Sequence, residues 1–315
     1  MARGFHGAVS EAPPDARRLA EERSAARERR DFATADAIRD RLRSLGWEPV
    51  DGPAGSSLRP ILPAEGEADT GYAKPEHLAS LLGEPATLDV SLVTIVSDHA
   101  EDTARLAGGL LAHPPPRAWE LVVVANGSVE PPPAEVLEGM PAVILPTTAR
   151  LGWADAANLG LRRTRGAVLV LLDGSVEPTG DFVTSLLAAF DDPVVGLAGP
   201  WGVTSADARH FEDAPPGPVD AILGYCMALR REALAAVGGF DPRFRWYRNA
   251  DLDLSFAIRD RGWRAVATGQ LPLERHEHRG WSALPEAERD RLSRRNFYRF
   301  LDHWGKRPDL LVKRA

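Results

Sequence analysis

From Asp89 onward, short runs of β-branched and apolar residues alternate with segments of helical period, and no other feature restricts the chain as much. Val90–Val96, Glu120–Val124, Pro141–Leu145 and Ala167–Leu172 read as strands. Glu101–Ala112 and Ala154–Thr164 read as helices between them. This order predicts an α/β fold: a mixed, mostly parallel, Rossmann-like sheet flanked by helices. Ligands of such open sheets bind beyond the carboxyl ends of the strands. Ser97-Asp98-His99, Asn126-Gly127-Ser128 and Asp173-Gly174-Ser175 are therefore expected on one rim. No G-x-G-x-x-G follows the first strand and no Walker P-loop occurs, which argues against dinucleotide and P-loop nucleotide chemistry.

Composition sets further bounds. With 315 residues, 44% hydrophobic and 26% charged, the chain can bury a substantial core. Its longest clean apolar stretch, Ala167–Leu172, is too short to span a bilayer, and the first residues lack the apolar core of a secretory signal. A single cysteine, Cys226, excludes an intramolecular disulfide framework and a cysteine-based zinc site. A cytoplasmic location is the expectation that fits. Net charge is −7; residues 1–60 carry 11 Arg against 10 acids, so the remainder is acidic. Neither part has the concentrated basic charge that nucleic acid or an anionic membrane requires.

The N-terminal region has a different texture. Residues 13–46 read as two helices, the second capped by Asp31 and carrying a stripe of Ala35, Ile38, Leu42 and Leu45 that ends at Gly46. Trp47–Leu58 is turn-rich and predicts a small hairpin. Residues 61–88, rich in Pro, Gly, Glu and Ala, read as a linker or surface strap. The expected organisation is 1–60, a helical hairpin; 61–88, a linker; and 89–315, the α/β domain.

Several segments occur in a telling order. They are Val93-Thr-Ile-Val-Ser97, Leu121-Val-Val-Val-Ala-Asn-Gly-Ser128, Leu151-Gly-Trp-Ala-Asp-Ala-Ala-Asn-Leu-Gly160 and Leu171-Leu-Asp-Gly-Ser-Val-Glu-Pro178. Gly224-Tyr-Cys-Met-Ala-Leu-Arg-Arg231, Val237-Gly-Gly-Phe-Asp-Pro242, Asp251-Leu-Asp253 and Gly262-Trp263 follow. The series closely resembles family 2 glycosyltransferases of the GT-A fold over roughly residues 89–305, and Arg294–Gly305 is similar to that family's closing helix. The resemblance implies transfer of a sugar from a nucleotide-diphosphate donor to an acceptor hydroxyl, of hexosyltransferase type, inverting and assisted by Mn²⁺ or Mg²⁺. Its acceptor is unknown.

The resemblance also implies roles. Asp251 would be the general base that deprotonates the acceptor. Asp173 would hold the cation or the donor phosphates. Ser97, Asp98 and Asn126 would line the nucleotide pocket. His276, preferred to His278 by its distance from Asp251, would be a metal or diphosphate ligand. Each has a plainer reading: Asp251 or Asn249 as a helix cap, Asp173-Gly174 and Asn126-Gly127 as turns, and His276-Glu-His278 as a solvated loop. Three positions where the family carries carboxylates are altered, to Ala125, Ser175 and Ala250. A catalytically inactive fold that binds a nucleotide sugar, glycan or protein is therefore the rival reading. Residues 201–219 fall where the family places an acceptor-side loop.

Glu22–Gly46, continuing through Glu48-Pro-Val-Asp-Gly-Pro53, resembles the C-terminal helical appendage of cysteinyl-tRNA synthetase over about residues 15–60. No His-Ile-Gly-His-type motif and no zinc cysteines accompany it, so aminoacylation does not carry over. Its near-neutral charge points to protein docking ahead of RNA association.

Overall fold

The structure, a computed structural model, describes residues 14–29, 31–44, 47–52, 55–60, 71–97, 99–127 and 134–313. The chain divides into two compact units, Met1–Glu67 and Ala68–Ala315.

In the first unit, α1 (Pro14–Glu28) and α2 (Phe32–Ser44) pack through Leu19, Ala20 and Leu42, with Ile38 and Leu58 against them. Asp31 accepts the Thr34 N–H at 3.1 Å, the cap the sequence predicts. β1 (Trp47–Gly52) and β2 (Gly55–Pro60) form the expected antiparallel hairpin. Leu45 and Gly46 lie outside the described residues.

The second unit begins with β3 (Leu88–Val96), α3 (Ala100–Ala112), β4 (Trp119–Ala125), β5 (Ala142–Pro146), α4 (Trp153–Arg163) and β6 (Gly166–Leu172). These match the sequence-based elements to within two residues. Next come β7 (Val176–Pro178), α5 (Val183–Ala188), β8 (Val195–Gly199), β9 (Gly202–Ser205), β10 (Phe211–Ala214), β11 (Gly217–Val219), β12 (Ala221–Ile222), β13 (Cys226–Arg230) and α6 (Arg231–Val237). The unit closes with α7 (Ala250–Asp260), β14 (Arg264–Ala267), β15 (Leu273–Arg275), α8 (Arg279–Ser282) and α9 (Glu286–Trp304).

Eight strands form one sheet in the order β11-β14-β8-β13-β6-β3-β4-β5. β3 pairs in parallel with β4 and β6, β4 with β5, and β14 with β8, whereas β13 runs antiparallel between β6 and β8. Alternating side chains feed two cores. Val93, Val122, Leu169 and Leu171 pack with α4, α6 and α7, while Leu92, Leu121, Val123 and Val170 pack with α3 and α5. A Cβ at Gly160 would lie 2.6 Å from Val93 Cγ1, so this glycine lets α4 close onto the sheet.

Buried polar groups tie the sheet together. Glu120, fully buried in β4, accepts from Ser91 Oγ at 2.7 Å, Arg165 N–H at 2.7 Å and Arg165 Nε at 3.0 Å. Residues 71–87, the described part of the expected strap, lie along the second unit: Tyr72 N–H bonds Pro146 O at 2.8 Å, and Leu81 N–H bonds Arg162 O at 2.8 Å. Leu78 and Leu82 pack onto its core. This segment belongs to the α/β unit because its backbone groups and apolar side chains are satisfied there.

Candidate active site

The parallel strands β4, β3 and β6 are neighbours, so Asn126, Ser97 and Asp173 follow three adjacent strand ends. Beyond β6 the backbone N–H of Asp173 bonds Tyr225 O at 3.0 Å, which ties it to the segment entering β13. Its carboxylate accepts both the backbone N–H of Ser175, at 2.9 Å, and the Ser175 hydroxyl. Asp251 comes from the first turn of α7. Oδ2 accepts the Gly224 N–H at 2.9 Å and Oδ1 the Leu252 N–H at 3.0 Å. α9 pins the approach to α7, since Asn296 Nδ2 donates to Trp246 O at 2.7 Å and Arg248 O at 2.8 Å.

Asp173 and Asp251 line the same cavity, of about 340 Å³. Trp153, Tyr225, Tyr247, Arg248 and His278 share its wall. His278 Nε2 lies 3.4 Å from Asp173 Oδ2, and Tyr247 stacks on the imidazole with ring centroids 4.5 Å apart. Burial disfavours the charge on Asp173, but the hydrogen bond and charge of His278, with the Ser175 contacts, outweigh it and hold the carboxyl below its usual range. Burial likewise disfavours the imidazolium, and Asp173 outweighs it, so the His278 pKa is raised. At Asp251 burial wins over the backbone donors and Arg248, and the carboxyl is raised. Burial also pushes the Tyr247 phenol up, which keeps it protonated.

The other sequence-derived candidates fall elsewhere. Ser97 directly follows β3 and is not among the residues lining the cavity, and Asp98 lies outside the described residues. Asn126 is not a free pocket group: Oδ1 accepts Leu151 N–H at 2.7 Å and Nδ2 donates to Leu151 O at 3.2 Å. Its amide clamps the segment before α4, a structural role for this side chain. His276 does not face Asp173; Nε2 meets Glu177 Oε2 at 2.7 Å. The histidine beside Asp173 is His278. The reason is register: Arg275 pairs with Val176 at the end of the β15–β7 ribbon, the His276 N–H bonds Ser175 O, and only beyond that does the chain turn toward the cavity.

The capping reading of Asn249 also fails. Asn249 takes a left-handed φ of 66°, makes no side-chain cap bond, and donates to Ser293 O at 3.2 Å. Sequence reasoning missed Tyr247, Arg248 and Arg209 of the cavity wall, whose local spacing carries no signal. Trp153 lies within the Leu151–Gly160 motif, and His278 is the second histidine of His276-Glu-His278.

The altered carboxylate positions have structural consequences. Ala250, the first residue of α7, is buried in the core with residues of α6, Ala125 is buried at the end of β4, and the buried Ser175 spends its hydroxyl on Asp173. Among the described residues, two other groups bring metal-type ligand atoms within 4.8 Å of one another: Glu177, Glu274 and His276, and Asp241, Asp253 and His303. Neither lines the cavity. In the second, Asp253 Oδ1 already accepts from His303 Nδ1 and Trp304 Nε1, at 2.8 and 2.9 Å.

An eight-stranded, mostly parallel sheet with a cavity beyond its strand ends is the architecture of the GT-A class of folds. Residues 92–253, just over half of the chain, match the family described as Glycosyl transferase family 2, and the chain belongs to that family. It is 26% identical over 239 residues to the O-antigen biosynthesis protein RfbC of Myxococcus xanthus, covering 64% of this chain and 18% of that protein. It is 25% identical over 210 residues to the N-acetylglucosaminyl-diphospho-decaprenol L-rhamnosyltransferase of Mycobacterium tuberculosis, covering 51% of this chain and 67% of that enzyme. Among solved structures, the mannosyltransferase PcManGT of Pyrobaculum calidifontis, in complex with GDP-Man and Mn²⁺, superposes with a TM-score of 0.51 at 21% identity. That match covers 65% of this chain and 61% of PcManGT and establishes a shared fold. Separately, 51 residues are 45% identical to the cysteine–tRNA ligase of Opitutus terrae, 16% of this chain and 11% of the ligase. Among the described residues, no helix is long and apolar enough to cross a membrane.

Proposed function

We propose that the chain transfers a sugar from a nucleotide-diphosphate donor to an acceptor hydroxyl, with inversion and with Asp251 as general base. The observation that carries this reading is that Asp173 and Asp251, 78 positions apart in sequence, line one cavity. A base and a phosphate-side group must face a common space if one hydroxyl is to attack a carbon whose diphosphate departs. The Gly224 and Leu252 N–H groups orient the Asp251 carboxylate, and its raised pKa makes it a better proton acceptor than an exposed aspartate.

Asp173 and His278 would hold a divalent cation. An oxygen and a nitrogen donor 3.4 Å apart on one cavity wall form a set that suits Mn²⁺ better than Mg²⁺, which prefers oxygen. Such a cation neutralises charge on a leaving diphosphate. The Tyr247 stack holds the His278 ring, and Arg248 adds positive charge to the same wall. The N-terminal unit is proposed as a protein-docking appendage.

A second reading, a binding module without turnover, is favoured by the neutral residues Ala125, Ser175 and Ala250. Purified protein incubated with a panel of sugar nucleotides, with and without Mn²⁺, separates the two. The transferase reading expects Mn²⁺-dependent donor hydrolysis or transfer that Asp251→Asn abolishes. Nucleotide binding without turnover, equal in wild type and Asp251→Asn, leaves the binding module.

A further inference from the structure

Two residues of α9 are buried, Phe300 and Asn296. Phe300 belongs to an apolar cluster with Phe256, but Asn296 is a polar side chain at 0% exposure. Burying an amide is costly unless its donors and acceptor are used. Here they are. Nδ2 donates to Trp246 O at 2.7 Å and to Arg248 O at 2.8 Å, and Oδ1 accepts from Arg299 Nη1 at 3.2 Å.

The two carbonyls flank Tyr247. Residues 241–249 join α6 to α7 without regular secondary structure, so no helix or strand ladder of their own fixes that tyrosine. α9 does so from outside. One turn before Asn296, Ser293 O accepts from Asn249 Nδ2 at 3.2 Å, and Asn249 holds a left-handed φ of 66°. A non-glycine residue in that region needs such contacts to keep it there. The Tyr247 ring then lies on the His278 imidazole, 4.5 Å between centroids and 18° from parallel, and His278 Nε2 lies 3.4 Å from Asp173 Oδ2. A chain of contacts thus runs from the middle of α9 to Asp173, every link of it on the page as a hydrogen bond, a ring stack or an ion pair.

We propose that Asn296 is a positioning residue for His278: by holding the two carbonyls that flank Tyr247, it fixes the ring on which the imidazole stacks and thereby the approach of His278 to Asp173. Its effect on a cation rests on the reading of Asp173 and His278 given above; the clamp itself rests on the hydrogen bonds and the stack. A ligand pair is only as well placed as the groups that hold it, so loss of the amide should weaken metal binding without removing a ligand.

The test uses the full chain and two readouts. An aromatic ring displaces the resonances of protons lying over its face, so the His278 imidazole protons, assigned by their loss in His278→Ala, report the stack. Their displacement is expected to vanish in Tyr247→Leu and to shrink markedly in Asn296→Leu. It should persist in Leu186→Ala, a buried α5 site on the other face of the sheet that lowers Tm without touching the clamp. Mn²⁺ alone, followed by the resonance of the free ion, should bind at least about fivefold more weakly to Asn296→Leu and to Tyr247→Leu. The double variant should match Tyr247→Leu within about twofold, because both changes cut one chain of contacts. If Asn296→Leu does not fold, Asn296→Asp takes its place: it keeps the shape and the acceptor for Arg299 and removes the two N–H donors. Wild-type His278 resonances in the folded Asn296 variant overturn the proposal. So does a double variant whose loss is the product of the two single losses. Altered resonances with unchanged Mn²⁺ affinity, or with no Mn²⁺ bound even by wild type, defeat the cation reading and leave Asn296 as the residue that positions His278.

Discussion

The Gly224 N–H points at Asp251 Oδ2 from 2.9 Å, and that one bond joins the segment entering β13 to the first turn of α7. It sets the direction of the carboxylate that faces the cavity. Asp251→Asn keeps the size of the side chain but cannot accept a proton at neutral pH. Transfer is expected to fall by at least about 100-fold, while nucleoside diphosphate binding by titration stays within a few-fold of wild type. Unchanged turnover removes Asp251 as the base.

Burial raises the Asp251 pKa above the ordinary 3.8. Transfer requires the ionised form, so the rate should fall as pH drops through that raised value. A pH profile of kcat/KM is expected to show an acid limb above the usual aspartate range. A limb at or below 3.8 would contradict the assignment.

His278, not His276, faces Asp173. His278→Ala should weaken Mn²⁺-dependent nucleoside diphosphate binding by about tenfold or more. His276→Ala breaks only the partly exposed pair with Glu177 and should leave that binding unchanged. The reverse ranking would restore His276 to the site.

The Asn126 amide holds both backbone groups of Leu151. Asn126→Ala leaves those groups without their partner and should cost about 1–3 kcal/mol in denaturant unfolding. A stability unchanged from wild type would show that the clamp is not what this side chain contributes.

Restoring an acid at position 250 should not restore a stronger enzyme. Ala250 is 1% exposed and packed in the core, so Ala250→Glu must bury a carboxylate and overfill the space. A loss of several kcal/mol of stability, read as a fall in Tm, is the expected result. A folded variant of wild-type Tm and higher turnover would place this side chain in the cavity instead.

Much of this was legible in local pattern. The runs around Val93, Val122 and Leu169 became adjacent parallel strands because alternating apolar residues must be buried on both faces of a sheet. Asp31 capped its helix as its side chain predicts. Asp173 and Asp251 came to one cavity because strand ends and the first turn of α7 meet on the same rim. The contacts of Asn126 and His276 are not legible in the same way, because they depend on partners 25 and 99 positions away, Leu151 and Glu177, which no local spacing reveals.

By itself, then, the sequence determined the strand–helix alternation, the sheet that follows from it and the pair of aspartates at its rim, since periodicity and strand-end position are properties of short segments. Only the tertiary structure decided which histidine faces Asp173, that Ala250 lies in the core, and that Arg209, Phe211 and Phe297 line the same cavity as the two aspartates. Those outcomes come from the β15–β7 register, from α7 packing on the sheet and from the β9–β10 turn, where Ala208 takes a left-handed φ of 58°. Each is a contact between distant segments, fixed when the whole core closes.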